Sequence, residues 1–147
     1  MLIVAAAVSN FSGITKFTLF NNNGVSSSLS SKALIGGEWI NQGIEIVVPV
    51  LSFTNILSGI PSDVMCDHLK TDMQGYDMHA LQSAGLALRK CKTIMSETWV
   101  DRAQSTYDVP TPNDIQEFKS YMPSVGFRFV KYIQDYNEGN SYWERID

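Results

Sequence analysis

The chain has 147 residues, 44% of them hydrophobic and 18% charged, which suits one globular domain with a real core. A formal net charge of −4, with Lys and Arg scattered singly or in pairs, argues against nucleic acid as a main partner. No stretch approaches the roughly 20 apolar residues of a membrane span, so no membrane partner is expected.

Leu2 to Val8 is a continuous apolar run, expected to be a strand covered on both faces. It lacks the positive n-region of a signal peptide, and polar Ser9 and Asn10 end it. After Gly13, Ile14 to Phe20 has the β-branched and aromatic content of a second strand, and Asn21 to Ser31 is a loop by composition. Residues 44–51 form a third strand, which Pro49 places at an edge or a bulge because it lacks a ladder donor. Asp63 to Thr71 is a strand leading into Asp72, Met73, Gln74 and Gly75. A helix over 77–90 follows, with Met78, Leu81 and Leu88 on one face. Thr93 to Val100 is the next strand. Thr111 as N-cap, Pro112 at the first position and Asp114 as capping partner predict a second helix, striped by Ile115, Phe118 and Met122. Phe127 to Ile133 and Ser141 to Ile146 are strands flanking an Asn137–Asn140 turn. The order is α/β, with strand–helix–strand units and a closing antiparallel hairpin in a single domain over 1–147. Cys66 and Cys91 match no metal spacing or disulfide framework. They are expected to be reduced core thiols of an intracellular, cytoplasmic protein.

In open α/β sheets, ligands bind outside the carboxyl ends of the strands. The polar ends here are Ser9–Asn10, the 71–75 turn and Ser96–Glu97. A buried charge needs a partner, so Lys70 must meet a carboxylate or reach solvent. Asp72 at the strand mouth, with Glu97 on the adjacent strand, is the candidate working acid; a purely structural Lys–carboxylate pair is the other reading. His79, on the first turn of the following helix, is a candidate base, against a solvent-facing role; His68 is expected to pack inside its strand. Gly75 permits close backbone approach or a positive φ. Two carboxylates without further ligands do not make a metal site. Trp99, Tyr107, Tyr142 and Trp143 are expected in the core or a lid.

The stretch Leu69-Lys70-Thr71-Asp72-Met73-Gln74-Gly75-Tyr76-Asp77 resembles the FkbM methyltransferase signature, L-K-[IV]-D-[VI]-E-G-x-E, with Gln74 and Asp77 in place of its two Glu. In order along the chain, other segments are similar to the family's pattern too: Ala6 to Ser9 with Ser12-Gly13, Ser26 to Leu29, Val48 to Leu51, Ile94 to Glu97, Gly126-Phe127 and Tyr142 to Arg145. The resemblance implies a partial Rossmann-like class I methyltransferase sheet with a C-terminal antiparallel hairpin. It also implies S-adenosylmethionine as cofactor and a sugar, other glycan or small-metabolite hydroxyl as acceptor. For such a transfer Asp72 is the first candidate base, with Glu97 and His79 as helpers. By family analogy Ser9 and Asn10 would lie near the adenine, and Gly75 would let the backbone approach the cofactor.

The resemblance starts at the family's third strand. The family's glycine-rich strand would lie between that region and the strand of Asp72, so a truncated domain with weak cofactor binding is expected. A non-catalytic α/β interaction module is the alternative function, and another nucleotide-binding α/β protein a third.

Overall fold

A computed structural model describes residues 3–20, 28–35, 38–40, 43–101, 103 and 105–147. The elements in order are β1 (Ala7–Ser9), β2 (Gly13–Leu19), β3 (Ala33–Ile35), β4 (Glu38–Ile40), β5 (Ile44–Ser52), α1 (Phe53–Ser58), β6 (Cys66–Thr71), α2 (Asp77–Ala84), β7 (Cys91–Trp99), α3 (Ile115–Tyr121), β8 (Phe127–Asp135) and β9 (Glu138–Arg145). The architecture is mixed α/β, as the alternation of strand and helix patterns implies.

The strands do not form one continuous sheet. A three-stranded sheet has the order β1-β5-β2, a four-stranded one β6-β7-β9-β8, and β3 pairs with β4. β1 runs parallel to β5 and β6 parallel to β7, while the β2–β5, β7–β9 and β8–β9 pairs are antiparallel. β1 and β6 are therefore edge strands of two separate sheets. Most of the loop expected at 21–31 lies outside the described residues.

Several sequence expectations shift at this level. The strand expected over Leu2 to Val8 shrinks to three residues, and Ile3 and Val4 are 76% and 61% exposed because nothing covers them. β5, expected at an edge or bulged, is the middle strand of its sheet and pairs with β2 in continuous register. It tolerates Pro49 because β1 pairs only from Val50 onward, so the proline lies one residue outside that ladder. α1 was not expected. It is a six-residue helix whose N-cap, Ser52, accepts the Asn55 N–H at 3.2 Å. The helix expected over 77–90 stops at Ala84 and continues as a 3-10 turn over Gly85–Lys90, because Gly85 takes φ 51°. Asp114, not Thr111, caps α3: its carboxylate accepts the N–H groups of Gln116 and Glu117 at 2.9 and 3.0 Å.

The main core lies between the four-stranded sheet and the helices, where Met78, Leu81, Leu88, Ile94, Phe118, Phe127 and Trp143 are essentially solvent-free. A smaller cluster joins Phe20, Ala33, Trp99 and Tyr107, with Val109 against it. No helix among the described residues is long and apolar enough to cross a membrane.

Candidate functional site

The parallel register sets the end of β6 beside β7. Thr71 stands level with Ser96, and their hydroxyls meet at 2.6 Å in the buried interior. Asp72 follows directly on the end of β6, while Glu97, at the next level of β7, is still paired with Asn140 of β9 because β7 runs on to Trp99.

Donors fix both oxygens of the Asp72 carboxylate. Lys70 Nζ donates to Oδ2 at 2.6 Å, and Gln74 Nε2 donates to Oδ1 at 3.1 Å. Lys70 thus finds its carboxylate while half its side chain stays in water. Gln74 is itself held: the Tyr107 O–H donates to its Oε1 at 2.7 Å, and the Ser28 O–H donates to its backbone carbonyl at 3.3 Å. Its φ of 52° is uncommon for a side-chain-bearing residue, and these bonds hold it there. Tyr107, expected as a core or lid aromatic, is both buried and part of this network.

Behind Asp72 the turn is locked from beneath. The Met73 N–H donates to Asp77 Oδ2 at 3.1 Å, while Asp77 Oδ1 has no hydrogen-bond partner among the described residues although the residue is fully buried. Burial pushes the Asp77 carboxyl up to about 6; the Thr71 hydroxyl and Met73 amide ease its charge in part. Gly75 takes φ 87°, and a Cβ there would stand 2.8 Å from Trp99 Cζ2. Its bareness lets the turn lie flat on Trp99 and Val109.

Glu97 is the most perturbed acid of the site. Burial first, and then the charges of Asp72, Glu138 and Asp77, push its carboxyl up to about 8, against the smaller opposing effect of Lys70. It holds its proton at neutral pH. Glu138 on β9 is displaced upward for the same reasons, burial before Asp72 and Asp135. Beside it, Asp72 supplies a fixed acceptor, so the rim offers one oriented carboxylate and one protonated neighbour.

A cleft of about 240 Å³ opens at this rim, lined by Ala6, Ala7 and Val8 on one side and Asp72, Met73 and Gln74 on the other, with Phe17 and Leu29. Of the candidate site residues only Asp72 lines it. Ser9 is buried at the end of β1, where its carbonyl accepts from Ser83 Oγ at 3.4 Å, and Asn10 is exposed beside it. His79 is half-buried on α2; its Nδ1 shares a hydrogen bond of 3.0 Å with Thr111 Oγ1, and its ring meets Tyr76 edge-on. Burial moves its pKa downward. His68, expected to pack inside its strand, is exposed and bonded to Thr93 Oγ1 at 2.8 Å.

Sequence reasoning missed Asn113. Fully buried, it accepts the Met78 N–H at 2.8 Å and donates from Nδ2 to the Glu97 carbonyl at 3.1 Å; its own carbonyl accepts the Trp99 N–H at 3.0 Å. It clips the start of α2 to the mouth of β7. Between Pro112 and the Asp114 cap it looked like a loop residue, and nothing local distinguishes it.

The family described as methyltransferase FkbM domain matches residues 2–129, most of the chain and all of the rim except Glu138. The chain belongs to the FkbM methyltransferase domain family. All of β8 after Phe129 and all of β9 lie beyond the matched residues. No curated protein and no solved structure matches the chain.

Proposed function

We propose that this FkbM-family chain transfers a methyl group from S-adenosylmethionine to a hydroxyl oxygen of a sugar, glycan or small metabolite, with Asp72 at the acceptor. The observation that carries this reading is the position of Asp72: a strand-borne carboxylate, held by donors on both oxygens, on the rim of a cleft between two strand edges. The edges of β1 and β6 would flank a further parallel strand in a Rossmann-like sheet, so the cleft lies where such sheets bind ligands.

The donor set suits the cofactor better than the enclosure does. Asp72 supplies a carboxylate that complements a sulfonium or an amino group, beside the neutral, protonated Glu97. A volume of about 240 Å³, however, lies below the roughly 300–1,000 Å³ of typical ligand pockets. Binding by this chain alone is therefore weak. Ser9 and Asn10, at the end of β1, would take the adenine side. When bound, S-adenosylmethionine supplies an electrophilic methyl group. Asp72 would accept the hydrogen bond of the acceptor hydroxyl and then its proton, Lys70 and Gln74 would keep the carboxylate aimed, and Glu97 would donate a hydrogen bond from its protonated form. His79, tied to Thr111, would act by supporting the turn.

A second reading, a non-catalytic interaction module, is favoured by the bare apolar surface of the β1-β5-β2 sheet, where Ile14, Val47 and Ile44 are 74%, 72% and 63% exposed. Tritiated methyl transfer from S-adenosylmethionine to a panel of sugars and small alcohols separates the two. Label in the acceptor that disappears in Asp72→Ala supports the enzyme. Label that persists in the variant removes Asp72 from the chemistry, and no label with any acceptor favours the module.

A further inference from the structure

Cys66 and Cys91 open β6 and β7, and they are register partners in the parallel ladder. Neighbouring strands lie about 4.8 Å apart, inside the roughly 4.4–6.8 Å that a disulfide spans between Cα atoms. Both thiols are free in this structure, Cys91 fully buried and Cys66 partly exposed while packed against the core cluster that contains Cys91. Cys66 donates its thiol proton to the His68 carbonyl at 3.3 Å. Burial, and next the adjacent Cys66 thiol, push the Cys91 thiol upward. Neither residue takes part in the rim at the far end of these strands.

We propose that Cys66 and Cys91 are a thiol-modification site, at which a low-molecular-weight disulfide of the glutathione class converts the pair into a cross-strand disulfide. Access fixes the order of events. The Cys66 thiolate attacks one sulfur of the reagent, whose S–S bond breaks; one glutathione leaves and takes up the proton that Cys66 lost. Cys91 then gives up its proton and attacks the Cys66 sulfur, expelling the second glutathione, which takes that proton. Two protons and two electrons pass from the protein to the reagent.

The second step is the demanding one, because burial raises the Cys91 thiol and keeps it protonated at pH 8. Adjacency offsets this, since effective molarities of aligned groups reach about 10⁵ M or more, against millimolar free glutathione. The product would fasten β6, which among the described residues pairs with β7 alone, at the end opposite Thr71 and Ser96.

Incubation of the full chain with glutathione disulfide at pH 8, followed by acid quench, alkylation and intact mass measurement, tests this. The expected product is about 2 Da lighter than the reduced protein, with neither cysteine alkylated. Cys91→Ala should stop at an adduct of about 305 Da on Cys66, and Cys66→Ala should stay unmodified. Wild-type protein that accumulates the adduct, or that keeps two alkylatable thiols, overturns the proposal whatever the variants do.

Discussion

Asp77→Asn isolates the most deeply buried charge of the site. In the folded chain the Asp77 carboxyl holds its proton to about pH 6, against 3.8 when freely solvated. Between those values the native state binds more protons than the unfolded one, so stability falls as pH rises through the window. At about 1.4 kcal/mol per pH unit, the ionised form costs about 3 kcal/mol by pH 7. Asparagine cannot ionise, and its carbonyl can still accept the Met73 N–H. Its NH₂ would occupy the place of the unpartnered Oδ1, at a cost of about 1–3 kcal/mol if it finds no acceptor. That cost does not vary with pH. The stability of the variant relative to wild type should therefore rise by about 2–3 kcal/mol between pH 4 and pH 7.5, whatever its starting value. Urea denaturation of both proteins, followed by tryptophan fluorescence across that range, measures the difference, with the titrations of groups remote from Asp77 cancelled. A constant difference, or one that declines with pH, would refute the account of Asp77 as a carboxyl kept neutral by burial.

Glu97→Gln should act over a higher window. The native state keeps the Glu97 proton to about pH 8 rather than 4.5, so wild-type stability declines across that interval while the variant holds its own. Because Glu97 is only partly buried and solvent screens it, the gain at pH 9 should be about 1–2 kcal/mol by chemical denaturation, and identical pH slopes would contradict it. Gly75→Ala combines a left-handed backbone with a Cβ only 2.8 Å from Trp99, and should lose about 2–4 kcal/mol. Thermal unfolding measures it; a loss under about 0.5 kcal/mol would mean the turn does not sit on Trp99 as described.

What was legible in the sequence was what local pattern controls. The polar end of β6 marked Asp72 because strand mouths in α/β sheets are predictable places. The register sets Thr71 beside Ser96, one residue before Asp72 and Glu97, but β7 runs on to Trp99, so Glu97 does not stand at the strand end expected of it. Periodicity found α2 and α3, yet not their limits. Gly85 breaks the first by its own backbone angle, and the second is capped by Asp114 because Thr111 is drawn to His79. Other features depend on partners far along the chain. Pro49 argued for an edge that the short β1 makes unnecessary. The 35-residue reach from Asn113 to Met78 has no sequence signature. The perturbation of Glu97 comes from burial and Asp72 first, and Glu138, which β9 delivers from beyond the family match, adds to it.

The most direct test of the site is a titration of ¹⁵N-labelled protein with S-adenosylmethionine, mapped residue by residue by NMR. The account predicts saturable but weak binding, with a Kd of about 0.1–1 mM, whose shifts centre on the amides of Ala6 to Val8 and Asp72 to Gln74 and shrink in Asp72→Asn. Shifts confined to other surfaces, or none at millimolar ligand, would contradict it.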